Sequence, residues 1–169
     1  MKKSLLTAAF LLLCAPLFAS AQVTYLNVYQ TVDINLPATQ VWDLVKGWNN
    51  LHGWHPAFIS TELVSGENNT PSSVRKITLK DGPSFDEELL QFNNQMMMMQ
   101  YRIIGENALP IQDYNAMIGV TPLGLNQSMV VWRAMYRSKP GQNDDANLKL
   151  VNGLFRAGLD ALKAKAEGK

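Results

Sequence analysis

Cysteine is almost missing from this chain of 169 residues; Cys14 stands alone, close to the N-terminus. Neither sign of charge dominates, with 15 Lys and Arg against 14 Asp and Glu. Nucleic-acid binding needs a concentrated excess of basic side chains, so that class is excluded. The longest apolar run falls short of the roughly 20 residues that span a membrane. A Gly-Xaa-Ser-Xaa-Gly elbow, a phosphate-cradling glycine loop and a dinucleotide fingerprint are all lacking. Covalent hydrolases of that type and nucleotide enzymes fall away with them. Histidine occurs only at positions 52 and 55. No internal repeat is present, and a hydrophobic share of 47% is too high for a disordered chain.

What is present starts with Lys2 and Lys3, an apolar run from Leu5 to Phe18, and then Ala19-Ser20-Ala21. A positive start, an apolar centre and a small-x-small end make a cleavable export signal. Residues 1–21 are therefore expected to be a signal peptide of bacterial type. The remainder, 22–169, is expected to be one domain in the periplasm or outside the cell, a monomer with no stable membrane insertion. Cys14 follows Leu13, where a lipoprotein signal needs a small residue. Cleavage would leave 148 residues without cysteine, and so without disulfides or thiolate chemistry. That length suffices for one real core.

Along the mature chain, Leu26, Val28, Val32, Ile34 and Leu36 alternate with polar residues, as in a half-buried strand. Pro37 ends that pattern and can open a helix, in which Val41, Trp42, Leu44 and Val45 recur at helical spacing. A second helical turn is expected within Trp48–Pro56. Six further strand patterns follow, near 59–64, 73–79, 85–92, 96–104, 113–121 and 128–137, punctuated by Gly, Asn and Pro. From Asp144 onward, Leu148, Val151, Phe155, Leu159 and Leu162 form one helical stripe, with Asp144 or Asp145 as its cap. Gly153 and Gly158 interrupt this helix, which suggests close approach to a neighbour or room for a ligand. The order predicts an α+β domain with helices on one face of an antiparallel sheet.

Register follows from the loops. Lys80-Asp81-Gly82 reads as a three-residue hairpin loop, which sets Ile77 opposite Phe85 and Arg75 opposite Glu87. The same rule applied to Asn93-Asn94-Gln95 sets Met99 opposite Leu89 and Tyr101 opposite Glu87. Arg75, Glu87 and Tyr101 then share one row on the apolar face. Buried charges are costly unless paired or used, so the row is either a structural ion pair or a polar anchor in a greasy pocket. Met96 to Met99 offer only alternate side chains to the interior, with Met99 on the inward parity. His55 is a candidate acid or base at a pocket mouth. A metal site is not expected, because His52 and His55 lack a third ligand.

The phrases Pro37-Ala38-Thr39-Gln40-Val41-Trp42, Trp54-His55-Pro56, Val74-Arg75 with Asp81-Gly82 and Glu87, and Tyr101-Arg102-Ile103 occur in a telling order. Pro110 with Tyr114, Val131-Trp132, and Arg156-Ala157-Gly158-Leu159 with Leu162-Lys163 complete the set. Together they resemble the START-like superfamily, in its polyketide cyclase/dehydrase and lipid-transport branch, over nearly the whole mature chain. The resemblance implies a helix-grip fold: a curved antiparallel sheet of about seven strands around a long C-terminal helix, with two short helices after the first strand. It implies an apolar cavity for a small hydrophobic ligand, lipid-like or aromatic, and no cofactor. Arg75, Glu87, Tyr101, Met99, Tyr114, Trp132 and Phe155 are the expected ligand contacts. The alternative is a cofactor-free cyclase, dehydratase or isomerase, with Arg75, Glu87, Tyr101 or His55 moving protons. A third reading has the cavity packed shut.

Overall fold

The computed structural model describes residues 24–80 and 82–169. The expected export signal, Cys14 within it, and Asp81 of the first hairpin loop lie outside those residues. Strand β1 (Leu26–Ile34) buries Leu26, Val28 and Ile34 on one face. Pro37 precedes α1 (Ala38–Val45) in an extended conformation, and Val41, Trp42 and Val45 turn the helix inward. The second expected helix is a single 3-10 turn, Leu51–Gly53. Six strands follow: β2 (Phe58–Ser65), β3 (Val74–Leu79), β4 (Ser84–Asn93), β5 (Met98–Ile104), β6 (Ile111–Gly124) and β7 (Gln127–Ser138). The long helix α2 (Asp144–Ala166) closes the chain.

All seven strands form one antiparallel sheet in the order β1-β7-β6-β5-β4-β3-β2. Bulges break its register in β2, β4 and β6, and such irregularities bend a sheet. Its inner face packs against α2 through Val151, Phe155, Leu159 and Leu162. This is the α+β helix-grip architecture. The cap of α2 is Asn143 rather than either aspartate, since its side chain accepts from the Ala146 N–H at 2.8 Å. Asp144 and Asp145 occupy the first turn instead, where their charge suits the helix dipole.

The β3–β4 register is the expected one, with Arg75 opposite Glu87 and Ile77 opposite Phe85. The β4–β5 register differs: Tyr101 lies opposite Leu89, and Glu87 opposite Ile103. The turn here runs from Asn94 to Met97, one residue longer than expected. Met97 adopts a left-handed φ of 50°, and Asn93 accepts from the Met96 N–H at 2.8 Å. A bulge between Leu89 and Gln91 adds a second offset. The combined slip near Tyr101 is two residues, which preserves the facing of each side chain. Tyr101 therefore remains inside; Met99, which lies opposite Phe92 rather than Leu89 on the far side of the bulge, is inside as well, and each is 2% exposed.

Candidate functional site

Two strands joined by a short hairpin bring Arg75 and Glu87 together on the inner face. Arg75 Nε and Nη2 both donate to Glu87 Oε2, at 2.9 and 2.6 Å. The third nitrogen, Nη1, donates to the Trp48 carbonyl at 2.7 Å. The guanidinium carbon lies 3.6 Å from the Trp48 ring centroid, a cation–π arrangement. Trp48 is fixed in turn by Asn69, a left-handed residue whose Oδ1 accepts from the Trp48 N–H at 2.8 Å. Both charged residues are buried. Burial raises the Glu87 carboxyl above its ordinary pKa, and the Arg75 charge opposes that shift.

Tyr101 stands beside this pair. Its ring lies 5.1 Å from the Arg75 guanidinium carbon, although it is not the strand partner of Glu87. The Trp132 Nε1–H donates to the Tyr101 hydroxyl at 2.8 Å. The Tyr114 ring centroid is 6.4 Å from that of Tyr101. Burial pushes both phenols well above their usual pKa. Both stay neutral at ordinary pH and can donate a proton in a hydrogen bond.

A cavity of about 80 Å³ lies between these groups and the first half of α2. Phe85, Glu87, Tyr101, Tyr114 and Trp132 line its sheet side, with Val151 and Phe155 from the helix. The rings of Trp132 and Phe155 stack at 4.2 Å, 10° from parallel. Leu79, Leu109, Leu150 and Leu154 also border the cavity; none is fully buried, and they form its rim. Of the expected ligand contacts, Glu87, Tyr101, Tyr114, Trp132 and Phe155 converge here. Arg75 and Met99 do not. They border a neighbouring void of only about 10 Å³.

His55 lies elsewhere, beneath α2 and not at a pocket mouth. It is 1% exposed. The Ala57 N–H donates to Nδ1 at 3.2 Å, and Nε2 lies 3.0 Å from the Leu154 carbonyl. Since Nδ1 accepts, Nε2 carries the proton and donates it to Leu154. Burial lowers the His55 pKa from 6.5 to about 4, against the opposing effect of the Leu154 hydrogen bond. The approach depends on Gly158, where a Cβ would sit 2.3 Å from His55 Cδ2 and 2.9 Å from Trp132. Gly158 therefore serves close contact, whereas Gly153 faces open space. His52 is exposed, and its backbone N–H donates to Thr61 Oγ1 at 3.1 Å. Among the described residues no three metal-ligating side chains converge, and no helix is long and apolar enough to cross a membrane.

Sequence reasoning missed Trp48 and the leucine rim. Trp48 holds Arg75 through its backbone carbonyl, which any residue carries, and through its ring, but it lies in an aperiodic segment remote from β3, so no local pattern pairs it with Arg75. The rim leucines come from three separate segments, and only Leu150 and Leu154, one turn apart on α2, share a local pattern. What the site can do follows from its groups: an apolar chamber ends in one carboxylate and two neutral phenols.

The family model described as polyketide cyclase/dehydrase and lipid transport matches residues 25–167. Among solved structures, a Bacillus thuringiensis protein is 27% identical with a TM-score of 0.76, over 84% of this chain and 99% of that one. The Bacillus cereus protein XoxI is likewise 27% identical, with a TM-score of 0.76 over 83% of this chain and 95% of its own. An aromatase/cyclase from a Streptomyces species, R1128, is 14% identical with a TM-score of 0.71, over 85% and 94% of the two chains. That last likeness is one of fold. No curated protein matches the chain. The family match spans every described element from β1 through α2, and the chain belongs to the polyketide cyclase/dehydrase and lipid-transport family.

Proposed function

We propose that this domain binds a small hydrophobic ligand, without covalent chemistry, in the cavity between the sheet and α2. The observation that carries the reading is the lining: apolar side chains throughout, with Glu87, Tyr101 and Tyr114 gathered at the sheet side. Ligand pockets combine apolar walls with a few polar groups that orient the guest. Family membership supports the same reading. At about 80 Å³ the cavity is smaller than the roughly 150 Å³ that holds benzene in an engineered protein core. Uptake therefore requires the rim leucines to part, and Leu150, at 50% exposed, has little packing to lose.

In this reading the protein acts after export, which the Lys2-Lys3 start, the apolar run and Ala19-Ser20-Ala21 support, and it acts as a monomer. Mass spectrometry of organic extracts from the purified native protein tests the binding. A hydrophobic compound at near-stoichiometric amount is expected, and protein that carries none and takes none up would end the proposal. Intact mass of the same sample is expected to begin at Gln22, and a full-length species would overturn export. A second reading, a cofactor-free cyclase, dehydratase or isomerase, is favoured by Glu87: a carboxylate with raised proton affinity in an apolar chamber is a suitable base. Turnover of the extracted compound would select it.

A further inference from the structure

We infer that the ligand presents a neutral hydroxyl, a phenol or an alcohol, to the polar side of the cavity, and that carboxylates of similar size are refused. The inference rests on the cavity being a ligand site, as proposed above, and it names what that ligand carries.

The ion pair is asymmetric toward the cavity. All three Arg75 nitrogens have acceptors within the protein, and Arg75 does not line the chamber. Glu87 does line it. Both bonds from Arg75 go to Oε2, so Oε1 is the carboxylate's unclaimed acceptor. The cation is consumed and shielded, while the anion retains hydrogen-bonding capacity. No Lys, Arg or His borders the cavity.

The two phenols supply the complement. The Tyr101 oxygen already accepts from Trp132, which leaves its own proton to donate. Tyr114 lies on the same wall and directs its hydroxyl to the Tyr101 oxygen, which helps to hold the Tyr101 proton toward the guest. A guest that gives one hydrogen bond to Oε1 and takes one from a tyrosine satisfies this set, and a hydroxyl does both. A carboxylate would meet Glu87 in apolar surroundings without a free cation, where like charges repel strongly. An ammonium would add a third buried charge to a pair already neutralised. A hydrocarbon would leave Oε1 unmatched.

Three probes of one ring system separate the possibilities: 2-naphthol, 2-methylnaphthalene and 2-naphthoate, titrated into mature protein. The Trp132 indole N–H resonance and calorimetry report binding. The expected result is that 2-naphthol binds about tenfold tighter than 2-methylnaphthalene, the worth of one hydrogen bond to a charged group. The naphthoate is expected to bind weakest. If all three bind equally, or the naphthoate binds tightest, the inference is overturned while the cavity remains a ligand site. If none shifts Trp132 or releases heat, the ligand-site reading itself fails, and the inference with it. Tyr114→Phe, which leaves the ion pair intact, provides the variant check. It should lower the preference for 2-naphthol over 2-methylnaphthalene by freeing the Tyr101 hydroxyl to rotate, and an unchanged ratio counts against the tyrosine pair as the oriented donor.

Discussion

Arg75 is joined to Glu87 through a single carboxylate oxygen, with two guanidinium nitrogens converging on Oε2 at 2.9 and 2.6 Å. Removing one partner strands the other in the core, at a cost of about 3–5 kcal/mol. Glu87→Leu and Arg75→Met should each show a loss of that order in urea unfolding. The double variant should recover most of it, because no lone charge remains. A residual deficit of about 1 kcal/mol is expected, since the Trp48 carbonyl loses its donor. Small additive losses in the cycle would contradict the buried pairing.

The two helix glycines should respond in opposite directions. Gly153→Ala meets nothing within 4 Å and should stabilise the protein by about 0.5–1 kcal/mol through helix propensity. Gly158→Ala forces a methyl to within 2.3 Å of the His55 ring. Overpacking of this kind costs about 1–3 kcal/mol and overrides the propensity gain. Thermal unfolding of the two variants decides the matter, and equal responses would refute the tight His55 contact.

His55 makes stability depend on pH in a stated direction. Its folded pKa, about 4, lies below the ordinary 6.5, so folding favours the neutral ring. The contribution is complete above about pH 6.5 and is lost as pH falls toward 4, roughly 3 kcal/mol in all. The stability gap between the native protein and His55→Gln should narrow across that window. Nitrogen chemical shifts should show the proton on Nε2 at neutral pH; a proton on Nδ1 would contradict the bond from Ala57.

Tyr101→Phe removes the acceptor of the buried Trp132 indole. An unsatisfied buried donor costs about 1–3 kcal/mol, and the Trp132 Nε1–H resonance should move upfield. If stability and resonance are both unchanged, the Trp132–Tyr101 bond is not formed in solution.

The sequence carried the inward row of β3 and β4 because a short hairpin loop and strict alternation leave one register for Arg75 and Glu87. It misjudged β5 because the turn length depended on Met97 taking a left-handed conformation, which that residue type does not announce. The slip at Tyr101 is even, so that residue kept its facing, and the bulge after Leu89 lets Met99 face inward too, while the strand partners expected for both residues were wrong. His55 was misplaced for a different reason. Its segment has no periodicity, and its surroundings come from Leu154 and Gly158, about a hundred residues away. The α2 stripe was readable throughout, yet the cap fell on Asn143 because the helix began one residue earlier than its acidic pair implied.

The strand order has a consequence for the timing of assembly. Strand β1 pairs only with β7, Leu26 with Tyr136 and Ile34 with Ser128, and its inner face is covered by α2. During synthesis the first strand thus has no neighbour until the last third of the chain has emerged. Closing so long a loop is slow relative to forming local hairpins. A ribosome-bound chain stopped before Gln127 would hold β1 with neither its hydrogen-bonding partner nor its helical cover. Completion of the domain therefore waits on the emergence of β7 and α2, and the nascent chain stays open to handling by other factors until then.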